Sequence, residues 1–157
     1  MLAVVSMALA SCGGGKKIKP AATQFAYGDL SQLIEIVDEP AELTLEKPKT
    51  GEGQIFKLKL KLKLVDTEYA KVKDPRDIEF YGVYVASIDL LDENDDELLT
   101  GLDFKDTQQL RRFLTKELGV VEEFIFEKKV YADKDSKVWY KKAVSFKPKG
   151  SCGCGLE

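Results

Sequence analysis

Residues 54–65 read Gln-Ile-Phe-Lys-Leu-Lys-Leu-Lys-Leu-Lys-Leu-Val, and this stretch decides the fold class. From Phe56 to Leu64 the apolar residues Phe56, Leu58, Leu60, Leu62 and Leu64 alternate with Lys57, Lys59, Lys61 and Lys63. Successive side chains of a strand point to opposite faces, so this period of two puts every aliphatic group on one face and every ammonium on the other. A sheet with one dry face and one wet face is the antiparallel habit. A strand running from Gln54 to Val65 is long enough for one bulge to carry it between sheet edges. The lysine ladder offers an anionic lipid or polysaccharide a positive field, because like charges on one face add. Ordinary sheet surface accounts for it equally, with Glu42 and Glu46 as cross-strand partners relieving the repulsion. The solvated face is the favoured reading of the two.

Outward from this strand the periodicity stays mostly two. Gln32–Val37 and Glu42–Glu46 alternate and are split by Asp38-Glu39-Pro40, and Lys47–Gly53 is a loop by composition. Asp66–Asp77 is polar, with Asp74-Pro75 inside it, and Glu79–Leu91 is a strand again. Asp92–Glu97 separates that strand from Leu98-Leu99, which predicts a hairpin. Asp106 has the character of an N-cap, with Gln109 at the capping-box position. Leu110, Phe113, Leu114 and Leu118 follow at helical spacing and Gly119 suits a C′ site, so the spacing predicts an amphipathic helix over Thr107–Leu118. Val120–Val130 and Val138–Phe146 are the closing strands, joined by a turn at Asp133–Ser136. A helical turn over Ser136–Lys141 is the alternative opening of the last one. Seven or so short strands with one connecting helix predict a mainly β fold, an immunoglobulin-like antiparallel β-sandwich. No repeat and no long strand–helix alternation points to a parallel α/β sheet.

The composition bounds what such a fold does. The chain has 157 residues, suiting one domain, a net charge of -3 and no histidine. The charge balance excludes the usual basic nucleic-acid binder. The missing histidine excludes Ser-His-Asp and Cys-His catalysis and every metal site built on imidazole. No apolar run reaches the ~20 residues of a spanning helix.

Met1–Ala10 (MLAVVSMALA) is apolar apart from Ser6 and has the length of a signal-peptide core. It ends at Ser11-Cys12-Gly13-Gly14-Gly15-Lys16-Lys17. Leu9-Ala10-Ser11-Cys12 resembles the lipobox of bacterial lipoproteins, whose small residues let a peptidase approach the backbone. The resemblance implies cleavage after residue 11 and diacylglycerol on the Cys12 thiol, with two or more acyl chains giving stable anchoring. Residues 12–22, rich in glycine and lysine, read as a flexible tether. The folded domain is expected over 23–147, with 148–157 as a mobile tail rich in cysteine and glycine. The layout also resembles small Bacteroidetes lipoproteins that carry an immunoglobulin-like domain. The matching features are the lipobox, Gly28-Asp29-Leu30, the acidic Leu90–Leu99 hairpin, a short helix before Val120–Phe126 and the closing Ala143-Val144-Ser145-Phe146. That likeness implies a place and an architecture and no catalytic residue.

Four constellations carry candidate chemistry. Asp92, Asn94 and Asp96 form D-x-N-x-D, with Asp103 eleven residues after Asp92, a partial calcium-loop pattern. Its sixth position is Glu97, where the turn of a calcium loop needs glycine, so an acidic hairpin tip is the stronger reading and no metal is expected. Cys152 and Cys154, even in number once Cys12 is acylated, suit a small strained disulfide open to redox exchange, soft-metal capture by two thiolates, or an inert tail, the last being the favoured reading. Tyr81, Tyr84, Trp139 and Tyr140 suit an aromatic platform for sugars, or strand-face packing. Gly51-Glu52-Gly53 lacks the helix that a phosphate loop requires. No spacing marks a glycosidase-type carboxylate pair.

The sequence therefore predicts an envelope lipoprotein, anchored by lipid and more plausibly in the outer than the inner membrane. Its domain is expected to be a non-catalytic binding or interaction module with no cofactor. Its expected partners are the membrane, through the anchor, and a protein or glycan ligand, with no nucleic acid. A fimbria-like assembly subunit and, behind it, a small carboxylate-dependent hydrolase are the alternatives.

Overall fold

The lysine-ladder strand is the spine of the molecule. In the computed structural model, which describes residues 15–25, 33–65 and 86–150, it forms β4 (Gln54–Leu64). The strands before it are β1 (Lys16–Pro20), β2 (Ile34–Ile36) and β3 (Ala41–Glu46). After it come β5 (Ala86–Leu91), β6 (Glu97–Phe104), helix α1 (Thr107–Phe113), β7 (Val121–Val130), helix α2 (Asp133–Lys142) and β8 (Ser145–Gly150). Phe56, Leu58, Leu60, Leu62 and Leu64 are all buried, and the four lysines between them point outward.

The mainly β class holds, but the immunoglobulin-like sandwich does not. The strands run in the order β4-β3-β1-β8-β5-β6-β7, and β7 pairs back onto β4, closing a seven-stranded barrel. Closure rests on the length of β4. One of its edges carries β3 at Ile55–Lys59 and then β2 at Leu62–Leu64, while the other pairs with β7 from Gln54↔Val130 to Lys63↔Val121. Period-two alternation fits both architectures, because a dry face serves equally against a second sheet or against the far wall of its own barrel.

β1 is the second correction. Lys16–Pro20, assigned by composition to the tether, pairs antiparallel with β3 (Ile18↔Ala41) and then parallel with β8 (Pro20↔Phe146). Ile18 is 1% exposed, so this segment belongs to the core. The tail prediction shifts likewise, since β8 continues through Pro148 to Gly150 and pairs with β5 along its length. Val138–Phe146 is not one strand. Residues 133–142 are helical, which extends the helical-turn alternative, and the strand starts at Ser145.

The interior is aromatic at its centre. Phe104 packs on Phe126 at 4.3 Å between ring centroids, and Phe124 meets Phe104 and Phe113 edge to face at 5.8 and 5.1 Å. Helix α1 precedes β7 and α2 follows it. Asp106 caps α1 as its sequence predicts, accepting from the N–H groups of Gln108 and Gln109 at 3.0 and 3.1 Å. The side chain of Gln109 does not return to close a capping box. Its amide donates to Glu122 and to the Glu123 carbonyl, tying α1 to the head of β7. The helix stops at Phe113 rather than Leu118. Gly119, at φ 89°, turns its N–H to the Leu64 carbonyl at 2.8 Å, which draws the chain back to β4 and leaves Leu118 exposed.

A bulge re-aims one acidic side chain. Ile88 opposes Leu102 and Leu90 opposes Leu99, so Asp89 faces both Thr100 and Gly101. Gly101 takes φ 81°, a conformation that glycine adopts without strain, and donates its N–H to Asp89 Oδ1 at 3.1 Å. Asp89 is fully buried, and its Oδ2 lies 3.7 Å from Lys149 Nζ. Replacing Asp89 with alanine leaves the half-buried Gly101 N–H without its acceptor and is expected to cost ~1–3 kcal/mol. Asp89→Asn, which keeps an acceptor, should lose less. Equal losses for the two variants in denaturant titrations would refute this account of the bulge.

Candidate functional site

Outside the barrel, β4 shows why its lysines are quiet. Lys59 stands opposite Glu42 on β3, while Lys57 and Lys61 stand opposite Glu127 and Glu123 on β7. Glu46 lies 2.8 Å from Lys57 and Glu39 3.2 Å from Lys61. The Glu46 carboxylate, through its hydrogen bond, holds the Lys57 ammonium above the usual lysine range, with burial opposing. Sharing among these carboxylates weakens the positive field of the ladder. The solvated-face reading therefore accounts for the ladder, with Glu42 and Glu46 in the places expected of them.

The sequence-predicted residues are spread apart. The hairpin at Asp92–Asp96 forms as read and brings Asp92, Asn94 and Asp96 together, but Asp92 is already committed. Its Oδ1 accepts the N–H groups of Asn94 at 2.8 Å and Asp96 at 3.0 Å, the closed ring of an Asx turn. Asp95 sits at φ 63° at the tip of the turn. Asp103 lies on β6 opposite Glu127, where burial pushes its carboxyl up and Lys128 opposes that shift. Among the described residues no group of three or more Cys, Asp or Glu is placed to hold a metal ion. Trp139 and Tyr140 lie on α2 and pack partly against the core, not on a strand face. Tyr81, Tyr84, Gly28-Asp29-Leu30, Cys12, Cys152 and Cys154 lie outside the described residues.

Among the described residues, a groove of 560 Å³ lies between that hairpin and α2. Asp92, Glu93 and Asn94 form one lip, Lys141 and Lys142 form the other, and Val138 and Val144 supply apolar surface. Both valines are nearly half exposed, at 48% and 46%. Helix α2 builds the basic lip because Ser136, Tyr140 and Ala143, at helical spacing, turn toward the body. Ser136 donates its hydroxyl to the Ala132 carbonyl at 2.8 Å and is completely buried. The far end of α2 is held by the first strand. Lys16 Nζ donates to the carbonyls of Tyr140 and Lys141 at 2.9 and 3.0 Å and lies 5.5 Å from the Tyr140 ring centroid. Burial lowers the Lys16 pKa, and cations at a helix C-terminus are favoured by its dipole.

This arrangement sets opposed charges on either side of apolar surface. The groove was missed in the sequence because Val138, Trp139 and Tyr140 are strand-formers by composition. The signal for it was present in Ser136, Tyr140 and Ala143 and in the Lys134, Lys141, Lys142 spacing. No protein-family model, curated protein or solved structure matches the chain.

Proposed function

We propose that the chain is a lipid-anchored lipoprotein of the bacterial cell envelope, in the outer membrane, whose barrel is a non-catalytic binding module for a protein or glycan. The observation that carries this reading is Leu9-Ala10-Ser11-Cys12, an apolar leader ending at a cysteine just ahead of a folded body. Only Gly13, Gly14 and Gly15 separate that cysteine from β1. The ligand is assigned to the acidic lip of the groove beside α2, formed by Asp92, Glu93 and Asn94. Closure of β7 onto β4 favours a binding module over a fimbria-like subunit, because it pairs two strands that would otherwise offer edges for strand addition.

Mass spectrometry of protein purified from membranes tests the anchor. The wild type is expected to start at Cys12 and to carry the mass of a diacylglyceryl group. Cys12→Ala is expected to retain residues 1–11 and carry no lipid. Wild-type protein that begins at Met1, with no lipid mass, removes the reading.

A further inference from the structure

We infer that the outward face of α2 is a membrane-contact surface, lying against the anionic phosphate headgroups of the bilayer that holds the anchor. The inference rests on acylation of Cys12, and chain length makes the connection. Lys16 follows Cys12 by four residues, and a fully extended chain covers at most ~3.6 Å per residue, so ~14 Å is the longest possible reach. The start of β1 is fixed to the end of α2 through the bonds of Lys16 to the Tyr140 and Lys141 carbonyls. An acyl chain on Cys12 therefore keeps the C-terminal turn of α2 within that reach plus the length of the Lys16 side chain, close enough for the helix to meet the headgroups.

The residues found there suit that position. Lys134, Val138, Lys141 and Lys142 share one helical face at i, i+4, i+7 and i+8, and all are exposed. Val138 and neighbouring Val144 give this face an apolar centre, and the lysine stems extend that surface while their ammonium groups reach phosphate. An apolar centre edged by lysine is the pattern of a helix lying in a membrane interface. The facing hairpin, with Asp92, Glu93, Asp95 and Asp96, is repelled by the same anionic surface. The body thus tilts onto its helical lip and leaves the acidic lip toward water.

Trp139, the one tryptophan of the chain, reports on this surface from within α2. The full acylated protein is reconstituted into vesicles of phosphatidylcholine, with or without phosphatidylglycerol, and Trp139 quenching by a headgroup-labelled lipid is recorded. Quenching is expected to be at least about twofold stronger with phosphatidylglycerol, and to fall to the phosphatidylcholine level in a K134Q/K141Q/K142Q variant and at high salt. These lysines are exposed, so the variant should keep its melting temperature. Protein that floats with both vesicle types through its acyl chains, yet shows quenching indifferent to phosphatidylglycerol and to the lysines, overturns the surface while leaving the anchor intact. Protein that lacks acyl mass and does not float overturns the anchor reading, and the surface with it.

Discussion

Replacing Phe124 with alanine is expected to remove ~3–5 kcal/mol of stability, the usual cost of deleting a buried aromatic ring. The site has little means of collapsing around the gap. Phe124 is 1% exposed and stands between Phe104 and Phe113, which approach it edge to face from β6 and α1. Its backbone is pinned opposite Leu60 in the ten-residue ladder between β4 and β7, so the chain cannot close inward without breaking barrel pairing. Lys61→Ala, one position along the same strand pair but outside the wall, is expected to cost less than ~1 kcal/mol because its partner Glu39 is a solvent-exposed carboxylate. Guanidinium unfolding of the two variants checks this, with the slope of the transition unchanged for both. Similar midpoints for the two would mean that the aromatic centre is not packed as described.

The second large effect is at Ile18. Ile18→Asp places an unpaired carboxylate at a completely enclosed position on β1 and is expected to cost more than ~4 kcal/mol, enough to prevent folding at growth temperature. Ile18→Ala, which leaves only a cavity, should cost ~2–5 kcal/mol and give a folded, less stable protein. Circular dichroism melts of both decide between a strand and a tether. In a flexible leash neither substitution would shift the transition. In a barrel, β1 is the stave linking β3 to β8, and its loss opens the wall.

The contrast between β4 and β1 shows how much of the fold was legible. Nine residues of strict alternation in β4, Phe56–Leu64, carry enough repeats to define a face, and β3 follows the same rule on a smaller scale, whereas buried Asp89 and the bulge interrupt it in β5 and β6. β1 has five residues, of which Ile18 alone is a large apolar group, set between lysines and a proline. Its composition is that of a linker, and only its neighbours Ala41, Ser145 and Phe146 make it a strand. Helix α2 failed for the opposite reason. Val138, Trp139 and Tyr140 prefer strands, but burial of Ser136 and Ala143 together with the cap from Lys16 outweighs a local preference worth at most ~1 kcal/mol. Closure was beyond reach, because inside-outside alternation is identical in a sandwich and a barrel. For the candidate site, the hairpin is legible in the sequence, while the segment facing it has strand composition with a helical turn over Ser136–Lys141 only as the alternative, so the groove between them lacks a defined second wall.

The meeting of β1 with β8 also orders events in time. The earliest stave and the latest one are side by side, about 125 residues apart in the chain, so the loop that must close to join them spans nearly the whole body. Contacts of such long range slow the search for the finished state. During synthesis the cylinder stays unsealed, with the aliphatic row of Phe56–Leu64 open to water, until Ser145–Gly150 has emerged. A chain whose first and last staves are neighbours is thus a half-built vessel until its final strand emerges, and this interval is when it most needs a chaperone.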